Sequence, residues 1–162
     1  MHLNDKRGVM KKQEPDPCAY QYVISLRIWH PDMPHEEISR TMGRTPNRSW
    51  TVGSPRFSIH GKPLGGAYDC SYWTERLTKK TVLSDTIWVE EEIARQVEAF
   101  SQQALFFRKV RAEGGRAELF VGLFSDFNIV VELEPALMGR LAEASLGICL
   151  DYYPYKKDEK QG

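Results

Sequence analysis

The stretch SDTIWVEEEIARQVEAFSQQALFFRKVRAEG, Ser84 to Gly114, decides the fold. Val89, Ile93, Val97, Phe100, Ala104, Phe107 and Val110 recur in it at steps of three and four, which lays seven apolar side chains along one stripe of a 3.6-residue period. The spacing predicts one long amphipathic helix. Its ends agree: Ser84 or Asp85 is placed to cap the first turn, Glu90, Glu91 and Glu92 sit at the positive pole and Arg108, Lys109 and Arg111 at the negative one. Gly114 then closes the helix in the left-handed conformation. Burying each large apolar side chain of the stripe is worth about 1.5–3 kcal/mol, so the helix needs an apolar surface, and the flanking sequence offers a sheet.

Downstream, Ala117, Leu119, Val121 and Leu123 alternate with Glu118, Phe120, Gly122 and Phe124, the pattern of a strand with one buried face. Asp126 to Asn128 reads as a turn and Phe127 to Leu133 as a strand running back. Pro135 opens a helix bearing Leu137, Met138 and Leu141, and Leu146 to Tyr153 alternates again as a last strand. Upstream, Tyr68 to Lys79 reads as a strand with Tyr72, Trp73 and Leu77 supplying β-favouring bulk. Before it, Arg44 to Gly66 carries Pro46, Pro55, Pro63, Gly53, Gly61, Gly65 and Gly66, and so reads as a long loop holding at most a brief strand at Ser49 to Val52. Pro34 opens a short helix with Ile38 and Met42 that Gly43 stops, and Tyr20, Tyr22, Ile24, Leu26 and Ile28 alternate as the first strand.

The order is β-α-β-β-α-β-β-α-β. It predicts an α+β fold, a mainly antiparallel sheet with one long and two short helices packed on one face. The stretches Pro34 to Gly43 and Pro135 to Gly147 echo one another between strands, as a duplicated ferredoxin-like unit would. With helices on one face, Arg27, Trp29, Glu118, Phe120, Asp151 and Tyr153 fall on the other, and the Arg44 to Gly66 loop is the long piece expected to lie across them.

At 162 residues the chain has the size of one domain, read as 18–155 between a flexible leader, 1–17, and a charged tail, 156–162. The 22 basic residues balance the 22 acidic ones, so no global field recruits nucleic acid or an anionic membrane. No window resembles a secretory signal or a membrane span, which predicts a cytoplasmic protein without membrane contact. Cys18, Cys70 and Cys149 are odd in number and widely spaced, fitting reduced thiols in a reducing compartment.

Residues that announce chemistry are sparse. His30 and His35 stand alone without a second pair of Cys or His, so no metal site is expected. Gly61-Lys62-Pro63-Leu64-Gly65-Gly66 has the glycines and lysine of a phosphate loop in the wrong order, with Pro63 deleting an amide donor, and reads as a turn. Ser54, His60 and Cys70 have no spacing that ties a nucleophile to a base. No cofactor and no catalytic residue are predicted. What remains is the window from Arg40 to Lys80, where eight Lys or Arg face only Asp69 and Glu75, an excess of six positive charges interleaved with Trp50, Phe57, Tyr68, Tyr72 and Trp73. These aromatics read either as a second small core, with Arg27 paired to Glu118 or Asp151, or as the walls of a ligand site with Arg27, His30 and Arg56 as polar contacts. The candidate binding residues are Arg27, His30, Trp50, Arg56, Tyr72 and Trp73.

The series Leu26-x-Ile28 with His30-Pro31, Ile38-Ser39 with Met42-Gly43, Trp50-x-x-Gly53, Pro55-Arg56, Gly61, Leu64-x-Gly66 and Tyr72-Trp73 resembles the bacterial domain-of-unknown-function family 4279. Gly114-Gly115, Glu118-Leu119, Leu137, Leu141 and Asp151-x-Tyr153 extend the likeness over Tyr20 to Tyr153. The resemblance implies no activity that transfers residue by residue. The reading the residues favour is a binding or interaction module, of the immunity or regulatory type by analogy, that recognises a protein or a small ligand through the aromatic and basic loop and face. One alternative is an enzyme with His30 as acid or base near Arg56. The other is a binder of single-stranded nucleic acid, disfavoured by the balanced charge and the lack of an RNP-type motif. Homodimerisation through the mixed sheet face or the edge strands is compatible with all three.

Overall fold

Tyr22, Ile24, Leu26, Ile28 and His30 are buried in β1 (Gln21–His30) while the residues between them are half-buried, so the alternation read from the sequence sets the two faces of the sheet. The computed structural model describes residues 16–155; the leader, apart from its last two residues, and the 156–162 tail lie outside the described residues.

The chain then forms α1 (His35–Met42), β2 (Arg48–Trp50), β3 (Pro55–Phe57), β4 (Pro63–Ala67), β5 (Ser71–Arg76), β6 (Val82–Leu83), α2 (Val89–Ala99), α3 (Ala104–Ala112), β7 (Arg116–Phe124), α4 (Pro135–Glu143) and β8 (Gly147–Tyr153). The main sheet runs β2-β5-β1-β7-β8, with β6 paired to the start of β1. β1 is antiparallel to β5 and β7; β7 and β8 are parallel, and β3 and β4 form a separate hairpin. The fold is α+β with a mostly antiparallel sheet and four helices. Val89, Ile93, Val97, Phe100, Phe107 and Val110 are all buried and join the β1 and β7 residues in one core, so the stripe does what its period demands. No helix among the described residues is long and apolar enough to cross a membrane.

Five expectations change. The long helix is two, broken by a 3-10 turn at Ser101–Gln103. Ser101 and Gln102 are exposed and give the stripe nothing to hold, and a serine competes for its own backbone, so the chain tightens there while Phe100 and Phe107 still meet edge to face at 6.1 Å. Ser84 and Asp85 do not cap: α2 starts at Val89 after Trp88, and the buried Ser84 Oγ accepts the Tyr20 N–H at 3.0 Å. Gly114 does close α3, at φ +86°.

Phe127 to Leu133 is not a strand. Ile129, Val131 and Leu133 pack on the core, but the edge of β7 they would pair with is taken by β8, which arrives in parallel through α4. In the Arg44 to Gly66 loop the brief strand expected at Ser49 to Val52 is β2, at Arg48–Trp50, but the loop also holds an unexpected element, the β3–β4 hairpin. The echo between α1 and α4 stops at the level of a crossover: β7 and β8 are adjacent, whereas β1 and β2 are held apart by β5.

Candidate binding face and hairpin

Among the described residues helices cover only the Tyr22 side of the sheet, which leaves the side chains of opposite parity on an open face. Register gathers the large ones. Trp50 of β2 lies opposite Tyr72 of β5, Tyr72 opposite Trp29 of β1, and Trp29 opposite Arg116 of β7, one cross-strand row over four strands. The rings meet: Trp50 to Tyr72 at 4.4 Å between centroids, Tyr72 to Trp29 at 5.1 Å, and the Arg116 guanidinium 4.0 Å above Trp29. Gly115 makes the last contact reachable, because a Cβ there would collide with the Trp29 carbonyl as β7 begins.

At the other end Tyr68 stacks on Trp50, 4.3 Å away and 12° from parallel, and the Trp50 Nε1–H donates to the Cys70 carbonyl at 3.0 Å. Tyr68 is the base of the β3–β4 hairpin, tied to its opening by the Gly53 N–H to the Tyr68 carbonyl and the Tyr68 N–H to the Ser54 carbonyl. The hairpin tip is ordered by Ser58, whose Oγ accepts the His60 and Lys62 N–H groups, and by Gly61 in the left-handed conformation. Every residue of β3 and β4 is exposed, so this segment does not cover the open face as expected but projects from the β2 edge. It presents Phe57, Leu64 and, at 73 % exposure, Ile59. Arg56 and Lys62 are its charges, with no Asp or Glu from Thr51 to Tyr68. Two crevices flank it, one of about 450 Å³ lined by Arg48, Trp50, Arg56, Phe57, Leu64 and Tyr68, and one of about 680 Å³ reaching His35 and Ile59.

The structure brings Arg27, Trp50 and Tyr72 onto the open face and Arg56 beside Trp50. Among the described residues Arg27 has no acid partner, which the small-core reading gave it in Glu118 or Asp151; its guanidinium lies 3.3 Å over the Phe120 ring. Trp73 and His30 are elsewhere. Trp73 is fully buried on the helix side, donating from Nε1 to Ser39 Oγ of α1 at 2.9 Å. The His30 ring is 3 % exposed, and both of its nitrogens are engaged: Nδ1 accepts the Asp32 and Met33 N–H groups, which leaves Nε2 to donate to Glu113 at 2.9 Å. A histidine so held has no nitrogen with which to move a substrate proton. Cys70 lines a cleft of about 480 Å³ with Trp29, His30, Asp69 and Arg116, and burial, followed by the Asp69 charge, pushes its thiol up, away from the reactive thiolate. Among the described residues no three His, Cys, Asp or Glu gather as metal ligands.

Trp29, Tyr68 and Arg116 complete the row without having been singled out as site residues. Parity on β1 places Trp29 on the open face, but its meeting with Tyr72 and Arg116 depends on two registers that no single strand encodes.

The molecule is thus an open-faced α+β sheet that carries a projecting hairpin. Residues 20–155 match the family described as "Domain of unknown function (DUF4279)", and the chain belongs to that family. No curated protein and no solved structure matches the chain.

Proposed function

We propose that the protein is a binding module whose recognition element is the β3–β4 hairpin, held at a fixed angle by the aromatic row beneath it. The observation that carries the reading is the stack Tyr68–Trp50–Tyr72–Trp29, which joins an otherwise unpacked hairpin to the central strand. Exposed apolar side chains are costly on a solvent-facing element unless something covers them, and Phe57, Ile59 and Leu64 lie together on one. Preorganisation lowers the ordering cost of association, which gives a rigid hairpin its use. The ligand class is a protein surface with an apolar centre and acidic rim, matching Ile59 and Phe57 between Arg56 and Lys62. The free Cys18, Cys70 and Cys149 fit a bacterial cytoplasmic setting for this binding.

Base stacking is the less favoured use of the same face. Trp50 is already in ring contact with Tyr68 and Tyr72, and Trp29 with Tyr72 and the Arg116 guanidinium, so a nucleobase would have to compete with these partners.

The test is site-specific photo-crosslinking in the host cell, with the photoreactive residue at Ile59 and, as control, at the equally exposed Leu105 of α3. A discrete adduct at Ile59 that is absent at Leu105 and lost with Arg56→Ala supports the reading. The same adducts at both positions, or none at either, overturn it.

A further inference from the structure

β8 ends the sheet. The carbonyl of Tyr153 accepts the Ser125 N–H, so Tyr153, Asp151, Cys149 and Gly147 turn their main-chain groups toward β7, and by alternation Ile148, Leu150 and Tyr152 turn theirs outward. Among the described residues nothing pairs with those outward groups. Edge strands are ordinarily protected by lysine, proline, a bulge or brevity. GICLDYY has seven residues, a continuous register on β7, and one charge. The opposite edge differs, since β2 has three residues and the hairpin at its end.

The outward side of β8 is also apolar. Leu150 is 45 % exposed, and beside it Tyr152 lines a hollow of about 390 Å³ with Leu123, Ile129 and Val131. Val130, 81 % exposed, and Phe127, whose carbonyl accepts the Tyr152 Oη–H, extend the patch.

We infer that β8 pairs antiparallel with β8 of a second copy, joining two sheets into one across a two-fold axis. Outward groups must meet outward groups, which leaves three registers centred near the middle of the strand. Centring on Asp151 sets two carboxylates directly opposite, a destabilising pair. Centring on Cys149 matches Ile148 with Leu150 and leaves Tyr152 without a partner. Centring on Leu150 matches all three outward residues, Leu150 with itself and Ile148 with Tyr152 of the other copy, and closes six hydrogen bonds. It also sets Asp151 opposite the other copy's Cys149. The occupant is a second copy because the strand complements itself in length, polarity and charge placement.

Two experiments on the whole chain test this. Sedimentation at micromolar concentration is expected to give a dimer for the wild type and a monomer for Leu150→Lys, whose exposed position lets the fold stand and whose charges would meet across the axis. A monomeric wild type, or a Leu150→Lys variant that folds by circular dichroism and remains dimeric, overturns the inference. In the Leu150-centred register a thiol at position 151 stands about 4.5 Å, Cα to Cα, from Cys149 of the other copy, within disulfide reach. Asp151→Cys is therefore expected to give a covalent dimer under a mild oxidant, and Asp151→Cys with Cys149→Ser is not. Loss of the cross-link in the first, or its persistence in the second, contradicts the register.

Discussion

Trp50 and Tyr68 lie face to face across the join between sheet and hairpin, their ring centroids 4.3 Å apart. Trp50 is fixed from below by Tyr72 and by its own bond to the Cys70 carbonyl, so Tyr68 rests on a support that continues through β5 into β1. The hairpin inherits the rigidity of the central strand without burying a residue of its own strands.

Trp73 and Tyr72 are neighbours in sequence with opposite duties. Trp73→Ala empties a fully buried site and is expected to cost about 3–5 kcal/mol, while Tyr72→Ala, on the half-exposed face, costs clearly less. Urea denaturation with unchanged slope measures both. Equal losses would place Tyr72 in the core and contradict the two-faced sheet.

His30 acts as a structural acceptor. His30→Ala strands the Met33 N–H, which is buried, and also frees the Asp32 N–H, a loss of about 1–3 kcal/mol for an unsatisfied buried group. Glu113→Gln keeps an acceptor for Nε2 and is expected to cost less than half as much. Chemical denaturation of the two variants checks the order.

Tyr20 is buried, among the described residues its hydroxyl has no hydrogen-bond partner, and burial, followed by the Glu90 charge, pushes its pKa up to about 12; the nearby Val89 N–H eases the shift without completing a hydrogen bond. The unfolded chain loses this proton near pH 10 and the folded one near 12, so the unfolded state binds fewer protons between them and stability falls as pH rises through that window. Tyr22 is shifted the same way, again by burial first. Tyr20→Phe is expected to flatten part of the alkaline loss. At neutral pH it is expected to be neutral or to gain roughly 1 kcal/mol, because it removes a buried polar group that has no partner. Denaturation curves at pH 8 and at pH 11 measure both effects.

The two-sided pattern of β1 and the apolar stripe were legible because each is a property of one segment. The stripe states which side chains share a face, and a continuous helix and one broken at Ser101–Gln103 satisfy that statement equally. Phe127 to Leu133 has the alternation of a strand and no ladder, because pairing depends on a vacant edge and β8 occupies it. His30 shares the parity of Ile28 and so belonged to the buried face; its chemical residue type drew attention that its position did not support. Trp73 and Tyr72 could be sorted only by the register of β5 on β1. The hairpin was hidden by its glycines and prolines, which mark turns without saying whether short strands lie between them.

Hydrogen exchange of Trp50→Ala against the wild type tests the coupling of hairpin to sheet most directly. The amides of Ser58, Gly61 and Tyr68 are hydrogen-bonded within the hairpin and its base. Removing Trp50 deletes two ring contacts, worth about 0.5–1.5 kcal/mol each beyond their buried area. Protection at these three amides is expected to fall by at least about fivefold while the Leu26 and Leu119 amides of the central sheet keep theirs. Unchanged protection in the hairpin would mean that the aromatic row does not hold it, and the account of a preorganised recognition element would be wrong.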